Sequence, residues 1–102
     1  MTAPWPRRPR LVAGNWKMHR TPAEGAALAR EFVALRAPDP AARGSAVALC
    51  PPFTALAAVA DAVRGSGVFV GAQNMHAELQ GAFTGEISGP MILDVGATHV
   101  LI

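Results

Sequence analysis

Leu11-Val12-Ala13-Gly14-Asn15-Trp16-Lys17-Met18 is the stretch whose reading decides the fold. A short apolar run closed by Gly and followed by a helix signal reads as a buried parallel strand. Parallel α/β folds bind ligands outside the carboxyl ends of their strands, so Asn15 and Lys17 stand where such a fold puts its chemistry. Alternate strand residues share a face, and both can point the same way. The Lys17 charge suits a phosphate or a developing oxyanion, and Asn15 can donate a hydrogen bond. Position alone equally allows a Lys17 that turns to solvent at a strand end.

Outward from that strand, strand and helix patterns alternate. Thr21-Pro22-Ala23-Glu24 has the form of a capping box, with Pro22 at the first helical position. Leu28, Phe32 and Leu35 follow at helical spacing and predict a helix from Pro22 to Arg36, stopped by Pro38 and Pro40. Ala46 to Cys50 is a second apolar run, too short for a helix and ended by Pro51-Pro52. Leu56, Val59, Ala60 and Val63 form the apolar stripe of a second helix, closed by Gly65-Ser66-Gly67. Val68-Phe69-Val70-Gly71 is the third apolar run. The segment from Gln73 to Gly85 has no clear period and is long for a βα connection, and such loops are more often functional than idle. Ser88 caps an expected short third helix, with Pro90 in its first turn and Gly96 at its end. His99 to Ile102 forms a fourth apolar run.

Four uniformly apolar strands separated by helices predict an α/β fold with a parallel sheet and right-handed crossovers. The last strand carries no turn signal and no polar residue to blunt an edge. A bare hydrophobic strand would recruit another chain through its unpaired backbone. The expectation is therefore that the sequence is one part of a longer chain or of a larger assembly.

Composition bounds the function. The 102 residues are enough for one domain with a modest core, and 51% hydrophobic against 16% charged residues argues against disorder. Nine Lys and Arg against seven Asp and Glu give +2, but Arg7, Arg8 and Arg10 are three of the positives. The remaining six against seven imply no basic surface, so nucleic acid is not an expected partner. Met1 to Pro9, with three prolines and two arginines, is expected to be an exposed, loosely ordered tail ahead of a folded unit over residues 10–102. A twin-arginine export signal at Arg7-Arg8 fails because the apolar stretch behind it runs only from Leu11 to Gly14. The longest uncharged stretch, Gly44 to Ala60, is broken by Pro51-Pro52 and is not a membrane span. Cys50 is the one cysteine, which allows no internal disulfide and suits a reducing, cytoplasmic compartment. Its place at the end of an apolar run reads as a buried inert thiol rather than a nucleophile.

Several chemistries lack their motifs. Gly65-Ser66-Gly67 precedes a strand rather than opening a helix, so it is no dinucleotide loop, and no P-loop is present. His19, His76 and His99 are far apart and lack metal-ligand spacing, so no metal is expected. No Gly-x-Ser-x-Gly elbow occurs.

Ala13-Gly14-Asn15-Trp16-Lys17-Met18 closely resembles the first strand-end motif of the triosephosphate isomerase family. Ala72-Gln73-Asn74 resembles the family's third strand end, and Gly81-Ala82-Phe83-Thr84-Gly85-Glu86-Ile87-Ser88 resembles the long loop that follows it. Asp94, Gly96-Ala97-Thr98 and Val100 continue the pattern, so the resemblance runs from Pro9 to Ile102. It implies the amino-terminal half of a (β/α)₈ barrel, with four parallel strands and three intervening helices. It also implies interconversion of dihydroxyacetone phosphate and glyceraldehyde 3-phosphate through an enediolate, without metal or organic cofactor, in glycolysis and gluconeogenesis.

The resemblance assigns residues as well. Lys17 corresponds to the active-site lysine that stabilises negative charge on the substrate, and Asn15 to the asparagine that helps bind substrate beside it. Thr84 lies at the tip of a loop that reaches into the partner subunit of a homodimer; Met18, Phe83, Gly85 and Glu86 belong to the same contact. The residues themselves read Glu86 as a helix-entry carboxylate. His19 stands where the family usually has Asn. The family's catalytic His, Glu base and closing loop correspond to positions after the fourth strand, beyond Ile102, so the 102 residues alone are expected to be inactive. Asp61, Asp94, Glu24 and Glu31 fall on expected helices and do not fill that gap. Two other readings stay open: an autonomous α/β module holding a phosphate at Lys17, and a half barrel that pairs with a second copy to reach eight strands.

Overall fold

Residues 8, 10–39 and 44–102 are described by the computed structural model of the chain. Apart from Arg8, the tail expected over Met1 to Pro9 lies outside the described residues. Strand β1 (Arg10–Asn15) leads to helix α1 (Pro22–Arg36), β2 (Ser45–Cys50) and α2 (Phe53–Ala62). Then come β3 (Phe69–Ala72), α3 (Gly89–Asp94) and β4 (His99–Val100). The four strands are parallel and pair in sequence order, β1-β2-β3-β4, in a sheet curled like half a barrel.

Helix α1 begins and ends where its sequence signals lie. The Thr21 hydroxyl accepts from the Glu24 N–H (3.4 Å), and Glu24 Oε1 accepts from the Thr21 N–H (3.0 Å), so the capping box closes reciprocally. Arg36 in its last turn donates from Nη2 to the Ser45 carbonyl (2.7 Å), tying the helix end to the start of β2. Helix α2 stops one residue short of the expected stripe, with Val63 as its C-cap. In α3, Ser88 caps by accepting from the Met91 N–H (3.3 Å), and Gly96 follows the helix at φ 100°.

The alternation of strand side chains sorts the two faces of the sheet. Gly14, Leu49 and Val70 lie in register, as do Ala72 and Val100. Leu49, Val70 and Ala72 pack on Leu56, Val59, Ala60 and Val63 of the second helix and its cap, and on Ile92 of the third. Burying each such aliphatic side chain contributes about 1.5–3 kcal/mol, which makes this face the source of cohesion. On the opposite face, the Phe69 and His99 rings lie 5.0 Å apart, and Gly71 pairs with His99. A Cβ at Gly71 would stand 2.8 Å from Cys50 Sγ, so two neighbouring strands meet there without room for another methyl.

One expectation fails for β1. Its apolar run reads as buried, yet Leu11 is 54% and Val12 57% exposed. The reason is position: β1 pairs only with β2, and no described element covers its outer edge. Strand β4 is also shorter than its apolar run; its pairing extends one residue further through Leu101 N–H to the Ala72 carbonyl (2.9 Å).

Two outcomes follow from these contacts. Thr21→Ala lowers the unfolding free energy by about 1 kcal/mol in urea titrations at neutral pH. The Thr21 backbone N–H, then its hydroxyl, hold the Glu24 carboxyl below its ordinary value of 4.5, with a smaller push from Arg20. The backbone N–H remains in Thr21→Ala, so only the hydroxyl's share of that contribution differs between wild type and variant. That share is present above the unfolded-state value and lost as pH falls through the folded one, and the difference narrows slightly below pH 4.5. Gly71→Ala destabilises by about 1–3 kcal/mol through overpacking, and adding Cys50→Ala recovers part of the loss, read as coupling in a double-mutant cycle.

Candidate functional site at the carboxyl rim of the sheet

The ends of three strands are joined at one rim. Trp16 N–H donates to the Cys50 carbonyl (3.0 Å), which extends the β1–β2 pairing past Asn15. Gln73, the first residue after β3, donates from Nε2 to that same Cys50 carbonyl (2.8 Å) and to the Lys17 carbonyl (2.9 Å). Asn15 Oδ1 accepts from the Lys17 N–H (3.0 Å). Both backbone polar groups of Lys17 are therefore held by side chains.

That restraint has a physical purpose. Lys17 lies at φ 55°, in the left-handed region. For a non-glycine residue this conformation costs about 1–2 kcal/mol, and it persists only where neighbours over-determine it. Trp16 between them packs its ring against the helical layer; a Cβ on Gly25 would lie 3.3 Å from its Cζ3. Trp16 is thus the anchor on which Asn15 and Lys17 are presented. The Asn15 side chain spends its oxygen on the backbone, leaving Nδ2 as the group that can donate to a ligand. Lys17 is exposed, so its ammonium is free to meet an anion.

Sequence reasoning found Asn15 and Lys17 but treated Gln73 only as part of a resembling motif. A long carboxamide one residue past a buried strand, on the rim that carries Lys17, was the available signal. Cys50 is buried as expected, and burial pushes its thiol pKa up against a smaller opposing hydrogen bond from the Gly71 backbone. The protonated thiol is a poor nucleophile, and the useful part of Cys50 is its carbonyl.

The second group of expected residues lies apart. Met18 is 94% exposed beside Lys17. Phe83, Thr84, Gly85 and Glu86 form the tip of the loop after β3, where Glu86 N–H donates to the Phe83 carbonyl (3.0 Å). Thr84 and Gly85 take the two corners of that turn, and φ 87° at Gly85 suits the glycine-favouring corner. No hydrogen bond or ring contact joins this tip to Asn15 or Lys17 among the described residues. Glu86 stands ahead of the Ser88 cap, outside the first turn of α3, so it does not act as the expected helix-entry carboxylate. It lines a cleft beneath the loop with His76, Glu78 and Phe83.

The sequence profile of triosephosphate isomerase matches residues 10–102. This chain belongs to the triosephosphate isomerase family.

A triosephosphate isomerase of Synechococcus sp. (strain JA-3-3Ab) is 55% identical over 97 residues, covering 93% of this chain and 38% of that protein. One from Carboxydothermus hydrogenoformans is 47% identical over 97 residues, covering 94% of this chain and 37% of the relative. The crystal structure of triosephosphate isomerase from Bartonella henselae superposes with a TM-score of 0.79 at 33% identity, over 93% of this chain and 38% of that one. The chain therefore spans well under half the length of the relatives it matches. Within that span, the triosephosphate isomerase fold accounts for four parallel strands in sequence order with helices on one face.

Two substitutions separate restraint from strain at this rim. Gln73→Leu removes both carboxamide donations and lowers stability by about 1–3 kcal/mol in urea unfolding, with faster hydrogen exchange at the Trp16 amide. Lys17→Gly relieves the left-handed backbone and leaves stability unchanged or higher by up to about 1 kcal/mol, while removing the cation.

Proposed function

We propose that this chain supplies the first half of a triosephosphate isomerase active site, in which Lys17 binds and stabilises negative charge on a triose phosphate. Asn15 donates a hydrogen bond to the same substrate from beside it. The observation that carries this reading is the clamped rim: in a matching family, the cation and carboxamide stand at the carboxyl end of β1 in an over-determined backbone. A fixed cation aimed at developing oxyanion charge lowers a barrier because it needs no reorganisation during the reaction.

The proton transfers of isomerisation require an acid and a base beyond Asn15 and Lys17, and the described strands make up four of the eight in the family's barrel. The 102 residues by themselves are accordingly inactive in this reading, and the activity belongs to a chain or complex that completes the barrel. The exposed tip Phe83-Thr84-Gly85-Glu86, together with Met18, serves as the docking element for a second copy in a homodimer. No described helix is long and apolar enough to cross a membrane, and the proposed setting is the cytoplasm, among the reactions of glycolysis and gluconeogenesis. Neither nucleic acid nor a cofactor enters this reading.

Isomerisation of glyceraldehyde 3-phosphate, followed with a coupled assay, tests it. The 102-residue chain gives no turnover above the uncatalysed rate, whereas a barrel completed by the missing strands of a relative is active. In that completed enzyme Lys17→Ala lowers kcat/KM by about 10²–10³-fold. An unchanged kcat/KM in Lys17→Ala removes Lys17 from the mechanism.

A further inference from the structure

The loop between β3 and α3 is built around one imidazole. His76 N–H donates to the Ile87 carbonyl (2.8 Å), and His76 bridges in parallel fashion to Ser88, so the residue closes the neck of the loop. Its ring stacks on Phe83, with centroids 4.1 Å apart and planes inclined by 30°. The Phe83 ring also lies close to Gly81, at φ 148°, where an added Cβ would fall 2.6 Å from Cε2. Phe83 is thus held between close contact with Gly81 and the His76 ring, which fixes the position of the turn at Thr84 and Gly85.

The hydrogen bond at the imidazole sets its protonation state. His76 Nδ1 accepts from the Glu78 backbone N–H (3.0 Å). A backbone N–H can only donate, so Nδ1 must carry no proton and the ring hydrogen sits on Nε2. We propose that His76, as this neutral tautomer, is the positioning residue of the loop, and that its protonation releases the tip carrying Phe83 and Thr84. A proton taken from solvent onto Nδ1 sets N–H against N–H and abolishes the Glu78 bond.

The surroundings favour that outcome over a simple tightening of the stack. An imidazolium over a phenyl face gains a cation–π attraction, which opposes release. The charged groups lining the cleft around His76 are Glu78 and Glu86, both from the loop. From α3 and its entry come Ser88 and Met91, which carry no charge, and no cation lines the cleft. Pairing of an imidazolium with these two carboxylates competes with the cation–π contact to Phe83, so the charged ring is no longer held by the stack alone. The loop then loses the bond to Glu78 and the support under Phe83 together. The consequence for self-association rests on the docking role proposed for the tip.

Nuclear magnetic resonance of the ¹⁵N-labelled chain, from about pH 8 to about pH 5 where imidazoles take up a proton, tests this. At the upper pH the His76 ring nitrogens show the Nε2–H tautomer. On acidification the protection factor of the Glu78 amide falls about three- to tenfold. The Phe83 and Thr84 amides shift with the same midpoint as the His76 ring. His76→Asn offers an oxygen acceptor to the amide two residues on, so its Glu78 protection is independent of pH and its Thr84 amide does not titrate. An Nδ1–H tautomer, or a Thr84 titration that persists in His76→Asn, overturns the proposal. Sedimentation at both ends of the range separates the two readings: a titrating loop with unaltered self-association upholds His76 as positioning residue and overturns the docking role of the tip.

Discussion

The Cys50 carbonyl is the point on which the rim depends. It accepts from Trp16 N–H and from Gln73 Nε2, and so joins the exits of three strands that the ladder itself no longer holds together. Strand pairing ends as each chain turns away, and a turning chain has backbone groups to satisfy. Here the Trp16 N–H and the Lys17 carbonyl are satisfied from other strand exits, and the Lys17 N–H by Asn15 beside it. Lys17 can therefore keep an unfavourable φ in a segment that also carries an exposed charge.

The same arrangement divides labour between the faces. Cohesion comes from the aliphatic layer between sheet and helices, in which Val59 and Ala55 are fully buried. The rim contributes little to that layer apart from Trp16, whose ring reaches it and locks the β1 exit to α1. A stable base and a strained edge thus coexist in a small chain, because the residues that bear strain are anchored to residues that bear load.

Much of the fold was legible because its signals are local. Thr21, Pro22 and Glu24 announce the start of α1 within a single turn, and Ser88 does the same for α3. The parallel order followed from uniformly apolar strands alternating with helices. The exposure of Leu11 and Val12 was not legible, since apolarity records what a residue could bury and not what stands opposite it. At the site, Asn15 and Lys17 could be placed by position on a strand end, but the left-handed φ of Lys17 has no mark in its residue type. Gln73 escaped because its two acceptors lie 23 and 56 positions away in sequence. The stack of His76 on Phe83 escaped for the related reason that an aperiodic loop gives no rule for which of its side chains meet.

Sheet order that equals sequence order also bears on how the chain assembles. Each strand finds its partner in the strand made just before it, across a single helix. Loop closure at each step therefore involves a few tens of residues at most, and the entropic barrier grows little from one step to the next. A chain emerging from a ribosome at about 5–20 residues per second can lay down β1, β2 and β3 in turn, without waiting for its carboxyl end. The Gln73 clamp closes last among the rim contacts, because it needs all three strands, so Lys17 acquires its strained backbone only after the layer that tolerates the strain is in place.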